Sequence, residues 1–334
     1  MNEQMFLIMA ILVAVALLFD FMNGFHDAAN SIALMVSTRL LTPQAAVVWA
    51  AFFNFVAFLF FGLHVAQTVG SGIVSPAIID NAVIFGALCG GISWNVITWW
   101  FGIPSSSSHA LVGGLVGAAL AKAGWSAIIA QGLIKTSVAI ILSPLLGLLL
   151  ALALSIALLW IFEKSLPYQT EQRFNKLQFI SSSLYSLGHG GNDAQKTMGI
   201  IAVLLYANGY LEGGFHVPFW VVISCQIAMA LGTLFGGWRI VKTMGMGITQ
   251  IKPTGGFCAQ TSGATALFIA TSMGIPVSTT HTITGAIVGV GLSRRLSAVR
   301  WGLASRIVWA WVLTIPASAL IAAIFWYLGR SFMV

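Results

Sequence analysis

The stretch Gly102-Ile-Pro-Ser-Ser-Ser-Ser-His-Ala-Leu-Val-Gly-Gly-Leu-Val-Gly117 occurs twice in this chain, and its repetition decides the fold. Gly274-Ile-Pro-Val-Ser-Thr-Thr-His-Thr-Ile-Thr-Gly-Ala-Ile-Val-Gly289 copies it 172 residues later, with 8 of 16 positions identical and Ser exchanged for Thr at two more. The same offset lays Pro144 on Pro316, so the repeat continues into the next apolar segment. A second match, Gly24-Phe-His-Asp-Ala28 with Gly190-Gly-Asn-Asp-Ala194, has an offset of 166, and the six-residue difference predicts an insertion within 237–255. Self-similarity over this span makes each copy one structural unit.

The solvent of these units is lipid. Of 334 residues, 58% are hydrophobic and 7% charged, with a mean hydropathy of +0.95, against about 25% charged residues in a soluble domain. Uncharged runs at 40–79, 81–121, 136–162, 213–238, 253–293 and 307–329 reach the roughly 20 residues that cross a bilayer. They leave no length for a soluble catalytic domain. Met1-Asn2-Glu3-Gln4 lacks the positive start of a cleaved signal peptide, so residues 5–19 are expected to belong to the mature protein. Cys89, Cys225 and Cys258 are isolated and odd in number, which offers neither a disulfide framework nor a zinc spacing. The net charge of +7 sits mostly in connecting segments, where it fits loops against anionic lipid rather than a nucleic-acid partner.

These features predict an all-α polytopic membrane protein of about ten membrane elements. The polar stretch from Glu163 to Lys176 divides it into a first repeat, 1–163, a short cytoplasmic linker, 164–176, and a second repeat, 177–334. Each half reads as a helix interrupted at its Asp motif, a second helix, two arms meeting at a Pro-Ser/Thr break, and a final Pro-containing helix. One orientation makes Arg39, Lys164, Arg173, Lys176, Arg239, Lys242, Lys252, Arg294, Arg295 and Arg300 all cytoplasmic. It requires re-entrant hairpins around 103–108 and 275–280 that enter from opposite faces, so the repeats are inverted. Inverted repeats with discontinuous helices are the build of secondary transporters that bind substrate at the midplane. The expected location is the bacterial inner membrane, and 35 Gly with 12 Trp permit close packing and a homodimer.

The residues able to carry chemistry lie in the repeated motifs. Proline at 104 and 276 is expected to end one arm, and Ser105, Ser106, Ser107 and Ser108, like Ser278, Thr279 and Thr280, then open a new helix. Free N–H groups and the positive end of the helix dipole attract anions there, and hydroxyls add donors. Asp27 and Asp193 are intramembrane carboxylates, which are costly enough to be functional candidates. Asn30 and Lys196 each follow their Asp by three residues, on one helical face. Asp20 is also intramembrane, but Ser186 takes its place in the second copy. His109 and His281 end the Ser/Thr runs and are candidates for anion binding or proton handling. Asn23 and His26 become His189 and Asn192, an exchange without an evident reason in the sequence. His64 and His216 fall near helix ends, and Lys135 and Arg306 read as snorkelling to the interface.

Asn23-Gly-Phe-His-Asp-Ala-Ala-Asn30 and His189-Gly-Gly-Asn-Asp-Ala-Gln-Lys196, with both Pro-Ser/Thr-His breaks, resemble the PiT family of inorganic phosphate transporters over nearly the whole chain. The resemblance implies cation-coupled uptake of phosphate. Phosphate would be held by Ser105 to Ser108 and Ser278 to Thr280, and Asp27, Asn30, Asn192, Asp193 and Gln195 would take cation or substrate roles. Many members carry Asn where this chain has Lys196. A tethered ammonium there could replace a bound sodium ion, which favours protons as the coupling cation, with phosphate carried alone or as a metal–phosphate complex. No cofactor and no firm metal site are expected. The rival readings are a sodium-coupled phosphate symporter, a permease for sulfate or another tetrahedral oxyanion, and an intramembrane serine hydrolase built on Ser108.

Overall fold

The computed structural model describes residues 3–212 and 214–333, and the described residues form helices with no named strand. The first half comprises α1 (Glu3–Ser37), α2 (Pro43–Val56), α3 (His64–Ser71), α4 (Asn81–Trp100), α5 (Ser107–Ala123) and α6 (Ala130–Ile161). The second comprises α7 (Pro167–Ala207), α8 (Phe219–Phe235), α9 (Trp238–Lys242), α10 (Pro253–Ser272), α11 (Thr279–Leu292) and α12 (Trp301–Gly329). Five helices are long and apolar enough to cross a membrane, or up to seven with two bent pairs counted as spans. These pairs bend by 83° between α2 and α3, and by 62° between α8 and α9. The chain is a multi-pass membrane protein.

The broken helices are therefore the second elements of each half, and the two Asp-bearing helices are continuous α-helix throughout. This corrects the expectation of unwound backbone at Asp27 and Asp193. The glycines that suggested unwinding serve close packing: a Cβ on Gly24 would lie 2.1 Å from the Met229 carbonyl oxygen, and one on Gly190 would lie 2.4 Å from that of Asn54. The length surplus of the second half is also placed differently from expectation. The helix beyond Asp193 runs to Ala207 whereas that beyond Asp27 stops at Ser37, and the following loop covers 208–218 rather than 38–42. The polar stretch 164–176 is mostly helical, since α7 starts at Pro167.

Both hairpins end their first arm in the same way. Gly102 and Gly274 have φ of +65° and +66°, and Ile103 N and Ile275 N donate 2.9 Å back to Thr98 O and Ala270 O. This is a helix stop with a left-handed glycine just past the C-cap. The arm thus ends before the proline, which keeps the following residues extended. Ser106 and Ser278 then cap α5 and α11, each hydroxyl accepting from the backbone N–H three residues on, at 3.2 and 3.1 Å.

Contacts at the two ends of the molecule fix the inversion. At one end α1 finishes beside the start of α7, where Thr38 Oγ1 donates 3.0 Å to Gln178 Oε1. The roots of α10 and α11 lie there too, with Thr254 N on Glu171 and Arg294 on the Gln250 carbonyl. At the other end Met9 and Leu12 share a core with Leu204 and Leu205. There Asn208 donates to Asn81 and Lys122 pairs with Asp80, which roots α4 and α5. Helices α1 and α7 are antiparallel, and the hairpins enter from opposite ends.

The last helix of each half packs on the hairpin of the other. Lipid supplies no hydrophobic force between helices, so close backbone approach at small residues carries this packing. A Cβ on Gly117 of α5 would lie 2.2 Å from Ala319 O of α12, and one on Gly289 of α11 would lie 2.3 Å from Leu148 O of α6. Gly289→Ala is expected to cost about 1–3 kcal/mol through overpacking, read as a lowered thermal midpoint in detergent. Gly302→Ala, with no atom within 4 Å of the new methyl, should leave that midpoint unchanged or raised.

Candidate substrate and coupling site

The two hairpin tips meet in the buried centre of the molecule. The rings of His109 and His281 are 4.6 Å apart, edge to face, and His281 stacks at 3.8 Å on Trp311 of α12. Trp311 Nε1 also donates 3.0 Å to Pro104 O, so one indole ties both breaks together. Neither nitrogen of either imidazole has a described hydrogen-bond partner. Ser105 to Ser108 and Ser278 to Thr280 are all buried. The first-turn N–H groups of α5 and α11 have no intrahelical acceptor by the geometry of the helix. Two positive helix ends therefore face one small volume.

Asp193 lies between those ends. Its Oδ1 accepts from Ser108 Oγ at 3.4 Å and from Lys196 Nζ, and its Oδ2 accepts from Thr279 Oγ1 at 2.7 Å. His189 Nε2 lies 3.2 Å from the same Oδ2. The Lys196 ammonium is satisfied in three directions, by Asp193, by Ser108 Oγ and, at 2.7 Å, by Val277 O. Buried charges survive when paired and fully hydrogen-bonded, and this pair is both. The ammonium joins the carboxylate of the second half to the hydroxyl of the first hairpin and the backbone of the second.

Asp27 has fewer partners. His26 Nδ1 lies 2.8 Å from its Oδ1, and Thr280 Oγ1 donates to that oxygen at 3.4 Å. Asn30 donates to Thr279 and Thr280 at 3.2 and 2.9 Å, so the first Asp helix holds the second hairpin. His26 Nε2 lies 3.0 Å from Thr98 Oγ1, which accepts from Ser105 at 2.9 Å. One ligand atom each from Asp27, His189 and Asp193 lie within 4.8 Å of one another.

The exchange of Asn and His between the motifs has a geometric account. His26 reaches Asp27 from the adjacent position, whereas His189 reaches Asp193 from one turn earlier. Each carboxylate thus keeps one imidazole. Asn192, standing where His26 stands in the first copy, donates 2.9 Å to Thr271 at the end of α10, much as His26 meets Thr98 at the end of α4.

Two residues singled out in the sequence do not join this centre. Gln195 accepts from Val65 N and Ala66 N at 3.1 and 3.3 Å and donates to Gly191 O at 2.6 Å, so its amide caps the start of α3 and is not at the breaks. Asn23 is buried beside Asp20. Conversely, Thr98 and Trp311 belong to the centre without any motif to mark them, and Val277, inside the second break, joins through its carbonyl rather than its side chain. The repeat pairs Thr98 with Ala270 and hides its role.

Relatives carry the same architecture. The model of the family described as "Phosphate transporter family" matches residues 23–170 and again 163–322. A "Probable low-affinity inorganic phosphate transporter" of Rhizobium meliloti is 67% identical over 316 residues, covering 95% of each chain. A protein of the same description from Bacillus subtilis is 45% identical over 325 residues, covering 96% of this chain and 97% of its own. A solved structure described as "The sodium-dependent phosphate transporter" superposes with a TM-score of 0.85 at 26% identity, covering 97% of this chain and 99% of the other. The chain belongs to the phosphate transporter family.

Proposed function

We propose that this chain imports inorganic phosphate across the bacterial inner membrane by symport with protons. The observation that carries the reading is the double engagement of Asp193, which accepts from Ser108 of one break and Thr279 of the other. Phosphate is bound between the N-termini of α5 and α11, by free N–H groups and by the hydroxyls of Ser105 to Ser108 and Ser278 to Thr280, those of Ser105, Ser108, Thr279 and Thr280 turning their one proton from a protein oxygen to the anion. Such donors recognise a tetrahedral anion by shape and charge. A carboxylate that accepts a proton from the anion selects phosphate over sulfate, because hydrogen phosphate keeps a proton and sulfate has none. Repeats that enter from opposite faces can open the site to each side in turn.

Asp27, Asn30, Asn192, Asp193 and Lys196 handle the cation. The Lys196 ammonium occupies the place beside Asp193 that a bound cation would take, and Asp27 is left with the lighter set of partners. This supports protons as the mobile cation. The description of the solved relative as sodium-dependent favours sodium as the second reading. A metal–phosphate complex is the alternative cargo, for which the cluster of Asp27, His189 and Asp193 is the support. A homodimer in contact with membrane lipid is the assembly we expect.

Purified protein in liposomes should accumulate phosphate under an imposed proton gradient without sodium. Uptake that appears only with sodium would contradict proton coupling. Lys196→Asn should make uptake depend on sodium, and an unchanged ion profile would remove the lysine from the mechanism. Arsenate should compete with phosphate uptake while sulfate at the same concentration does not.

A further inference from the structure

Asp20 is fully buried on α1, two turns before Asp27, and among the described residues neither of its carboxylate oxygens has a hydrogen-bond partner within 3.5 Å, the donors of Asn23, Thr197 and Cys225 lying around it at longer range. Its neighbours are Asn23 one turn along α1, Thr197 on α7 and Cys225 on α8. Asn23 Oδ1 and Thr197 Oγ1 are themselves buried without a described partner. Three residues thus bring unpaired oxygens to one place in the membrane core. The titratable groups facing Asp20 are the Cys225 thiol and the Asp193 carboxylate. Helix α4, which meets this turn at Gly91 against the Phe19 ring, contains no charged residue.

An ionised carboxylate in such surroundings needs a compensating cation. Asp27 and Asp193 each have an imidazole and a hydroxyl, and Asp193 has Lys196 as well. The repeat makes the contrast sharper. Across the Asp helices the first copy has Asp20 and Asn30 where the second has Ser186 and Lys196. The second copy gains a tethered cation, and the first gains a carboxylate with none. The oxygens of Asp20, Asn23 and Thr197 suit a hard cation, for which the Cys225 thiol is a poor ligand. A proton on Asp20 would turn an acceptor into a donor for Asn23 Oδ1 or Thr197 Oγ1, and a sodium ion would be ligated by the same oxygens.

We infer that Asp20, with Asn23 and Thr197, is a binding site for a mobile coupling cation, separate from the phosphate site between the breaks. The proton form of this inference rests on the symport reading above. Asp20→Asn removes the charge, and Asp20→Ser installs the residue of the second copy. Each variant is reconstituted alongside wild type, with folding checked by thermal unfolding and the membrane potential clamped at zero. Two quantities are measured: equilibrium phosphate exchange, and steady-state accumulation under a one-unit pH gradient. Loss of one coupled proton lowers the accumulation ratio about tenfold, while exchange, which needs no net cation movement, stays near the wild-type rate. Asp20→Glu, which keeps a carboxylate, should retain the wild-type ratio.

Unchanged accumulation in Asp20→Asn would overturn the inference, as would joint loss of exchange and accumulation in a folded variant, which would assign Asp20 to the substrate site. Wild type driven by sodium alone would overturn the proton reading instead, and the same comparison under a tenfold sodium gradient then decides Asp20. Should neither neutral variant fold, infrared titration of the wild type decides. A carboxylic acid band that changes with pH, or a carboxylate band that shifts on adding sodium, moved in either case by Asp20→Glu, supports the site, and the absence of both overturns it.

Discussion

The structure depends on one buried carboxylate that both halves must satisfy. Asp193 is fully removed from solvent, and its donors come from its own helix, from Ser108 on the first hairpin and from Thr279 on the second. Leaving such a charge unpaired would cost several kcal/mol, so the tips of two hairpins rooted at opposite ends are held to one point. Lys196 strengthens the tie by spanning the carboxylate, the first hairpin and the Val277 carbonyl.

That central requirement explains the arrangement around it. The helices that carry the charged and amide groups are unbroken, which gives Asp27, Asn30, Asp193 and Lys196 fixed positions on rigid faces. The Ser/Thr segments are broken, which frees N–H groups where the two breaks meet. Outside them α6 and α12 present broad apolar faces, with Ile134, Ile141, Leu149, Trp309 and Leu320 among the exposed side chains. The polar groups of the repeated motifs lie in the middle, and the glycines of the repeated motif let the outer helices close over them.

The architecture was largely legible in the sequence. The 172-residue offset between the Ser/Thr motifs is the offset between α4 and α10 at both ends, because the hairpin needs its glycine stop, proline and cap at fixed spacing. From sequence the Asp helices read as broken, because Gly24 and Gly190 suit unwound backbone as well as close packing, and a sequence does not distinguish the two. Gln195 stands in the motif among site residues, yet its place on the helix turns it toward the start of α3. Thr98 and Trp311 join through the meeting of distant segments, which no local pattern encodes. The buried stretches around the two Asp motifs match in charge except at two places, where Asp20 stands against Ser186 and Asn30 against Lys196 across the copies.

The proposed transport cycle requires that both breaks bind phosphate at once. The most direct measurement is the phosphate dissociation constant of Ser108→Ala, of Thr279→Val and of the double variant, in detergent. Hydrogen bonds to a charged group are worth about 1.5–3 kcal/mol, so each single change should weaken binding roughly 10- to 100-fold, with effects that are not additive because the two hydroxyls share Asp193. Wild-type affinity in either single variant would contradict a site made by the meeting of the two hairpins.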